Sequence, residues 1–194
     1  MREMVRLFVA VAVFSAVAGG LLSTVKSVTQ ERIELQQLTF VKGPTISKIM
    51  EGCSNNPLDD RFKLKDGERE IDFFIGEFDG KRNTVAFETY GKGFGGEIGV
   101  MVAVNIEKDE IVGVGVTTHS ETAGLGSRAK TDPSFTRQFN GMSIQDTFKV
   151  KKDGGEIDAL SGATVTSRGV CAAVMQASDT YKRLKDEIVN NMKT

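Results

Sequence analysis

"GGEIGVMVAVNIEKDEIVGVGVTTH", residues 95–119, decides the fold class. Two runs rich in Val and Ile are joined by the polar stretch IEKDE. Their composition and alternation predict antiparallel strands of a hairpin with one face buried. Working outward, REIDFFIGEF (69–78) and NTVAFETYG (83–91) flank DGKRN (79–83), a hairpin signal with Gly in the turn. DTFKVKKDGGEIDAL (146–160) reads as a third hairpin around DGG.

Helical patterns surround these strands. TISKIMEG (45–52) predicts a short helix closed by Gly52, and CSNNPLDDRF (53–62) a turn-rich break. In TDPSFTRQFNG (131–141), Asp132 is placed to cap, Pro133 to open and Gly141 to end a helix. From Ser167 to the C-terminus, Val170, Val174, Ala177, Tyr181, Leu184 and Ile188 recur at three- and four-residue steps. That is one apolar stripe on a long helix, which predicts packing across the sheet. The fold class is α+β: a bent antiparallel sheet packed with helices, preceded by an N-terminal transmembrane helix.

The transmembrane expectation rests on MREMVRLFVAVAVFSAVAGGLLSTVK (1–26). Leu7 to Val25 carries no charge and spans roughly 28 Å as a helix, close to the hydrocarbon thickness. Arg2 and Arg6 place the N-terminus in the cytoplasm and the remainder outside. Ala16-Val17-Ala18 has the small-x-small form of a signal-peptidase site, so a cleaved leader is the rival. Both readings export the domain. The domains read as 1–26, a membrane anchor or signal-like segment, and 27–194, an extracytoplasmic domain; the helical pattern continues out of the apolar run to Lys42.

Composition narrows the function. The chain has 194 residues and is 40% hydrophobic, enough for a real core. A net charge of −1, with no basic stripe, argues against nucleic acid. Cys53 and Cys171 are too far apart in sequence for a zinc motif, and one His makes a metal centre unexpected.

Three small-residue stretches stand out. YGKGFGGEI (90–98) leads into a strand, so it fails the dinucleotide fingerprint, which needs a helix. It reads as a glycine-rich turn or as a place where a ligand approaches the backbone. THSETAGLGSR (118–128) follows a strand and holds the lone His119; a plain polar loop and a functional loop both fit. DALSGATVTSRGV (158–170) concentrates hydroxyls before a helix. Either Thr166 or Ser167 caps that helix, or the helix N-terminus holds a phosphate.

Together these stretches resemble the FMN-binding domain family. DALSGATVTS resembles its flavinylation motif, HSETAGLG its second signature, and GKGFGGEIGVMVAVN its glycine-rich strand entry. Over its whole length the chain is similar to G subunits of Rnf-type electron-transport complexes. The resemblance implies FMN joined through its phosphate to the Thr164 hydroxyl by a dedicated flavin transferase. Asp158, Ser161, Gly162 and Ala163 would form the recognised loop. Glu121, Thr122 and Leu125 would line the isoalloxazine pocket, and His119 matches in position. Ala123 stands where the family usually has Pro.

The resemblance further implies an electron carrier, not catalytic alone, working with other membrane subunits that move electrons between ferredoxin and NAD and translocate Na⁺ or H⁺. The localisation implied is the cytoplasmic (inner) membrane, with a single pass. The alternatives are the C subunit of a Na⁺-translocating NADH:quinone reductase, typically longer, an exported scaffold module without cofactor, and a free-standing flavoprotein reductase.

Overall fold

The computed structural model describes residues 2–193, the side chain of Glu31 excepted. The chain divides into two compact units between Thr39 and Phe40. The first is helix α1 (Arg2–Gln36). Its stretch Arg2–Gln30 is long and apolar enough to cross a membrane. The helical path continues, as expected, through a π-helical stretch from Gln37 to Lys42.

The second unit is built on five antiparallel strands in sequence order: β1 (Arg61–Asp66), β2 (Arg69–Phe78), β3 (Lys81–Lys92), β4 (Glu97–Asn105) and β5 (Glu110–Val116). The two expected hairpins are β2–β3 and β4–β5. The β2–β3 turn is only Asp79-Gly80, both at positive φ, which matches the twist of the flanking strands. Helix α2 (Gly43–Ile49) packs on one face near β5 and β4. Helix α5 (Thr164–Met192) lies across β3 and β4 on the other. The predicted stripe of α5, from Val170 to Ile188, is buried throughout. It meets Phe73, Ile75, Val85, Phe87, Val100 and Val102 in one core. Between β5 and α5 lie two short helices, α3 (Arg128–Thr131) and α4 (Pro133–Thr136). Asp132 caps α4 as expected, accepting the Ser134 N–H at 3.0 Å.

Three local expectations are corrected. Arg61–Asp66 is a strand, where sequence suggested only a break running into it. Its charged residues alternate with Phe62 and Leu64, and it sits at the edge beside β2. Residues 146–160 do not form a hairpin. Val150 and Ile157 make one parallel bridge around a 3₁₀ turn that ends at Gly154 in left-handed conformation. Finally, α5 begins at Thr164, so neither Thr166 nor Ser167 is its cap; Ala163 holds that position.

Candidate functional site

The three small-residue stretches converge on the first turns of α5. Gly91 and Gly169 make this approach possible. A Cβ on Gly91 would collide with the Gly169 carbonyl, and one on Gly169 would lie 2.8 Å from Lys92 O and 3.1 Å from Gly93 N. The end of β3 therefore rests backbone to backbone on α5. The glycine loop that follows is closed by Gly93 N–H donating to Gly96 O at 2.8 Å.

Glu121 joins all three stretches. Its side chain is almost wholly enclosed, with the residue 8% exposed. One carboxylate oxygen accepts the Gly95 N–H at 2.7 Å, and the other accepts the Thr166 hydroxyl. A buried carboxylate is stable when donors satisfy it, and here the donors come from the glycine loop and from α5. His119 Nδ1 accepts the Glu121 N–H at 3.3 Å, bracing the same loop. The Thr122 carbonyl accepts the N–H groups of Leu125 and Ser127, both at 3.2 Å, which closes the AGLG turn.

Thr164 is the first residue of a 29-residue helix and is half-buried. Gly162, at φ +78°, turns the chain into it. Ser167 fixes that turn: its Oγ accepts the Leu160 N–H and donates to Ala163 O, both at 3.0 Å. Ala163 is the N-cap, and among the described residues no side chain caps the first-turn amides. A long helix with uncapped N–H groups presents partial positive charge there. Leu125 packs over Gly162, since a Cβ at Gly162 would lie 3.2 Å from Leu125 Cδ2. Leu125 and Val165 are about half exposed, and Phe94, on the glycine loop, is 77% exposed.

The expected residues thus fall into two groups. Glu121, Thr122, Leu125, His119, Gly162, Ala163 and Thr164 share this corner, with Ser161 exposed at the turn. Asp158 engages different partners: its carboxylate accepts from Lys151 Nζ at 2.7 Å, and its N–H donates to Gln138 at 2.7 Å. Sequence reasoning missed the partners of Glu121, namely Gly95 and Thr166, and the bracing by Ser167. It also passed over Phe94, the one large apolar residue among the glycines. Nearby, Arg168 grips Asp153 through two 2.7 Å hydrogen bonds, which hold the Asp153 carboxyl below its ordinary range. Arg168 is therefore engaged and is no free counter-charge.

The FMN-binding domain family matches residues 93–179, from the glycine loop into α5. The G subunit of the ion-translocating oxidoreductase complex of Vibrio cholerae is 30% identical over 190 residues, covering 92% of this chain and 90% of that protein. The protein of the same name from Methanosarcina acetivorans is 31% identical over 180 residues, covering 92% and 94%. Among solved structures, the C subunit of the Na⁺-translocating NADH-quinone reductase of Parabacteroides distasonis aligns with a TM-score of 0.50 and 26% identity. That alignment covers 59% of this chain and 62% of that one.

Proposed function

This chain belongs to the family of G subunits of ion-translocating oxidoreductase complexes, and from that premise we propose that it carries FMN as an electron-transfer subunit of such a complex. It is not a catalyst alone: its work is to hold the flavin for electron exchange with neighbouring subunits. Bound FMN supplies one- and two-electron chemistry.

The residues present fit that group. The observation that carries the proposal is the start of α5, where Thr164 is the first helical residue and, among the described residues, no side chain caps the first-turn amides. Such a terminus suits a phosphate. Thr164 would be the attachment point, as a phosphoester made by a flavin transferase. The half-exposed Leu125 and Val165 and the exposed Phe94 offer apolar surface to a flat ring. Glu121 keeps the glycine loop against α5, so these groups share one rigid corner. Asp158 and Ser161 lie on the exposed turn, where an installing enzyme would read them. Helix α1 would anchor the chain in the membrane with the domain on the extracytoplasmic side. Electrons would pass between ferredoxin and NAD through the other subunits, coupled to Na⁺ or H⁺ movement.

The reading as the NADH-quinone reductase component is weaker, because the alignment covers 62% of that structure against 90% of the Vibrio cholerae protein. Tryptic mass spectrometry of the protein matured with a flavin transferase tests the proposal. The peptide containing Thr164 is expected to carry the mass of FMN less one water. An unmodified peptide from an active maturation system would favour a scaffold without cofactor.

A further inference from the structure

We infer that Glu88 is a positioning residue for the flavin corner, a buried carboxylate that holds the roots of both its loops; this rests on the reading that the corner carries FMN. Thr89 points toward α5, with its hydroxyl donating to Ala173 O at 2.8 Å. Strand alternation puts Glu88 and Tyr90 on the opposite face of the sheet. There the Glu88 side chain is only 7% exposed.

Donors from three segments meet on this carboxylate. One oxygen accepts the Thr117 hydroxyl. The other accepts the Tyr90 hydroxyl at 2.9 Å and pairs with Lys42 Nζ at 2.8 Å. Tyr90 stands directly before the glycine loop, residues 91–96, and Thr117 directly before residues 118–128, which carry His119 and Glu121. Gly99 is the β4 partner of Tyr90, and it fixes the second root as well. Its carbonyl accepts the Thr117 N–H and its N–H donates to Thr118 O, both at 2.9 Å. Glycine is needed there, since a Cβ would lie 2.6 Å from Thr117 Oγ1 and 3.0 Å from Glu88 Oε1.

Glu121 joins the same two loops further out, where it accepts the Gly95 N–H. The corner is therefore held twice, at its roots by Glu88 and beyond them by Glu121. Burying an ion pair is a costly route to stability, and well-packed apolar residues of the same volume often do as well or better. What a carboxylate adds is direction, because each oxygen must face its donor and a fully satisfied network is rigid. Glu88 thus governs where the two loops leave the sheet. Through them it governs where the exposed Phe94 and the half-exposed Leu125 stand beside the start of α5.

The test uses the full chain in detergent, before and after maturation by an active flavin transferase. In unmatured Glu88→Ala, amide exchange in residues 93–96 and 119–124 is expected to quicken about tenfold, while β1 and β2 keep their wild-type rates. After maturation, the visible circular dichroism of the flavin, normalised to covalent flavin, is expected to lose most of its amplitude, because it reports a fixed ring environment. Lys42→Met/Glu88→Gln removes the charge pair but leaves an acceptor and a donor for the two hydroxyls, and is expected to restore both readouts. Leu64→Ala, a core truncation on β1, lowers stability elsewhere and is expected to move neither. Wild-type exchange and dichroism in Glu88→Ala overturn the positioning role. So does a Leu64→Ala variant that moves both, since the effect is then one of stability alone. Thr117→Val, a milder change that removes one donor, is expected to quicken residues 119–124 alone; an unchanged rate there overturns the inference even where Glu88→Ala does not fold. A wild type that carries no flavin refutes the flavin reading, and this inference with it, whatever the exchange rates.

Discussion

Replacing Glu121 by Ala removes the joint between the glycine loop and α5. The structure sets the size of the effect. Gly95 is exposed, so its freed N–H finds water and the lost bond costs about 1 kcal/mol. Thr166 is buried and loses a charged acceptor, which costs about 1.5–3 kcal/mol. The carboxylate no longer has to be desolvated, which offsets part of this and leaves a loss of about 2–3 kcal/mol. For a domain of this size that is a fall of roughly 5–10 °C in Tm. Thermal unfolding of the full chain in detergent, followed by near-UV circular dichroism, reads it directly. Flavin yield is expected to drop in parallel, because the loop no longer holds its place beside Thr164. Glu121→Gln is expected to recover most of both, since its amide accepts from Gly95 and donates to Thr166 Oγ1. An Ala variant that melts with wild type and carries full flavin would refute the role of this residue as the joint.

Other consequences follow from packing, charge and burial. Gly169→Ala would stabilise an ordinary helix by about 1 kcal/mol, but here the new methyl meets Lys92 and Gly93 backbone at 2.8–3.1 Å. A net destabilisation of about 1–2 kcal/mol is expected by urea titration, and a stabilised variant would show that the two segments are not in contact. Hydrogen bonding from Arg183 holds the Asp66 carboxyl below its ordinary value of 3.8, against a burial effect that raises it. Burial pushes Asp109 up, yet the donating Lys185 and Tyr181 outweigh it and hold that carboxyl low as well. A depressed folded value gives stability that is full above the unfolded value and lost as the pH falls through the folded one. The urea midpoint is expected to be level from neutrality to about pH 5 and to drop below about pH 4; Asp66→Asn/Asp109→Asn should start lower and drop less. The Cys171 thiol, pushed up to about 12 mainly by burial, should resist maleimide in the native protein and react on unfolding, whereas the half-buried Cys53 reacts first. Equal labelling rates for the two would contradict the packing of α5.

Much of the fold was legible because its signals are periodic. The stripe on α5 and the Val/Ile runs of β4 and β5 carry their burial in their spacing. β1 was not, because an edge strand spends alternate positions on charge and borrows its order from β2. The region around Gly154 misled for a different reason: a left-handed Gly between Val150 and Ile157 is equally the mark of a hairpin and of a short turn that returns in parallel. The helix start was misplaced by three or four residues, since Ser and Thr are the usual caps and here Ala163 takes the position while Ser167 binds back to the loop. The candidate residues were legible as motifs, but their joint was not. That Glu121 reaches both Gly95 and Thr166 depends on the Gly91–Gly169 approach, a contact between residues 78 apart that no local pattern encodes.

The central claim, a flavin held at Thr164, is tested most directly by in-gel fluorescence after denaturation. Wild type, Thr164→Ala and Ser47→Ala, an exposed hydroxyl on α2 outside the loop, should each be expressed with an active flavin transferase. The account predicts fluorescent bands for wild type and Ser47→Ala and a dark band for Thr164→Ala at equal protein. A fluorescent Thr164→Ala band, or three dark bands beside a control flavoprotein that is bright, would contradict it.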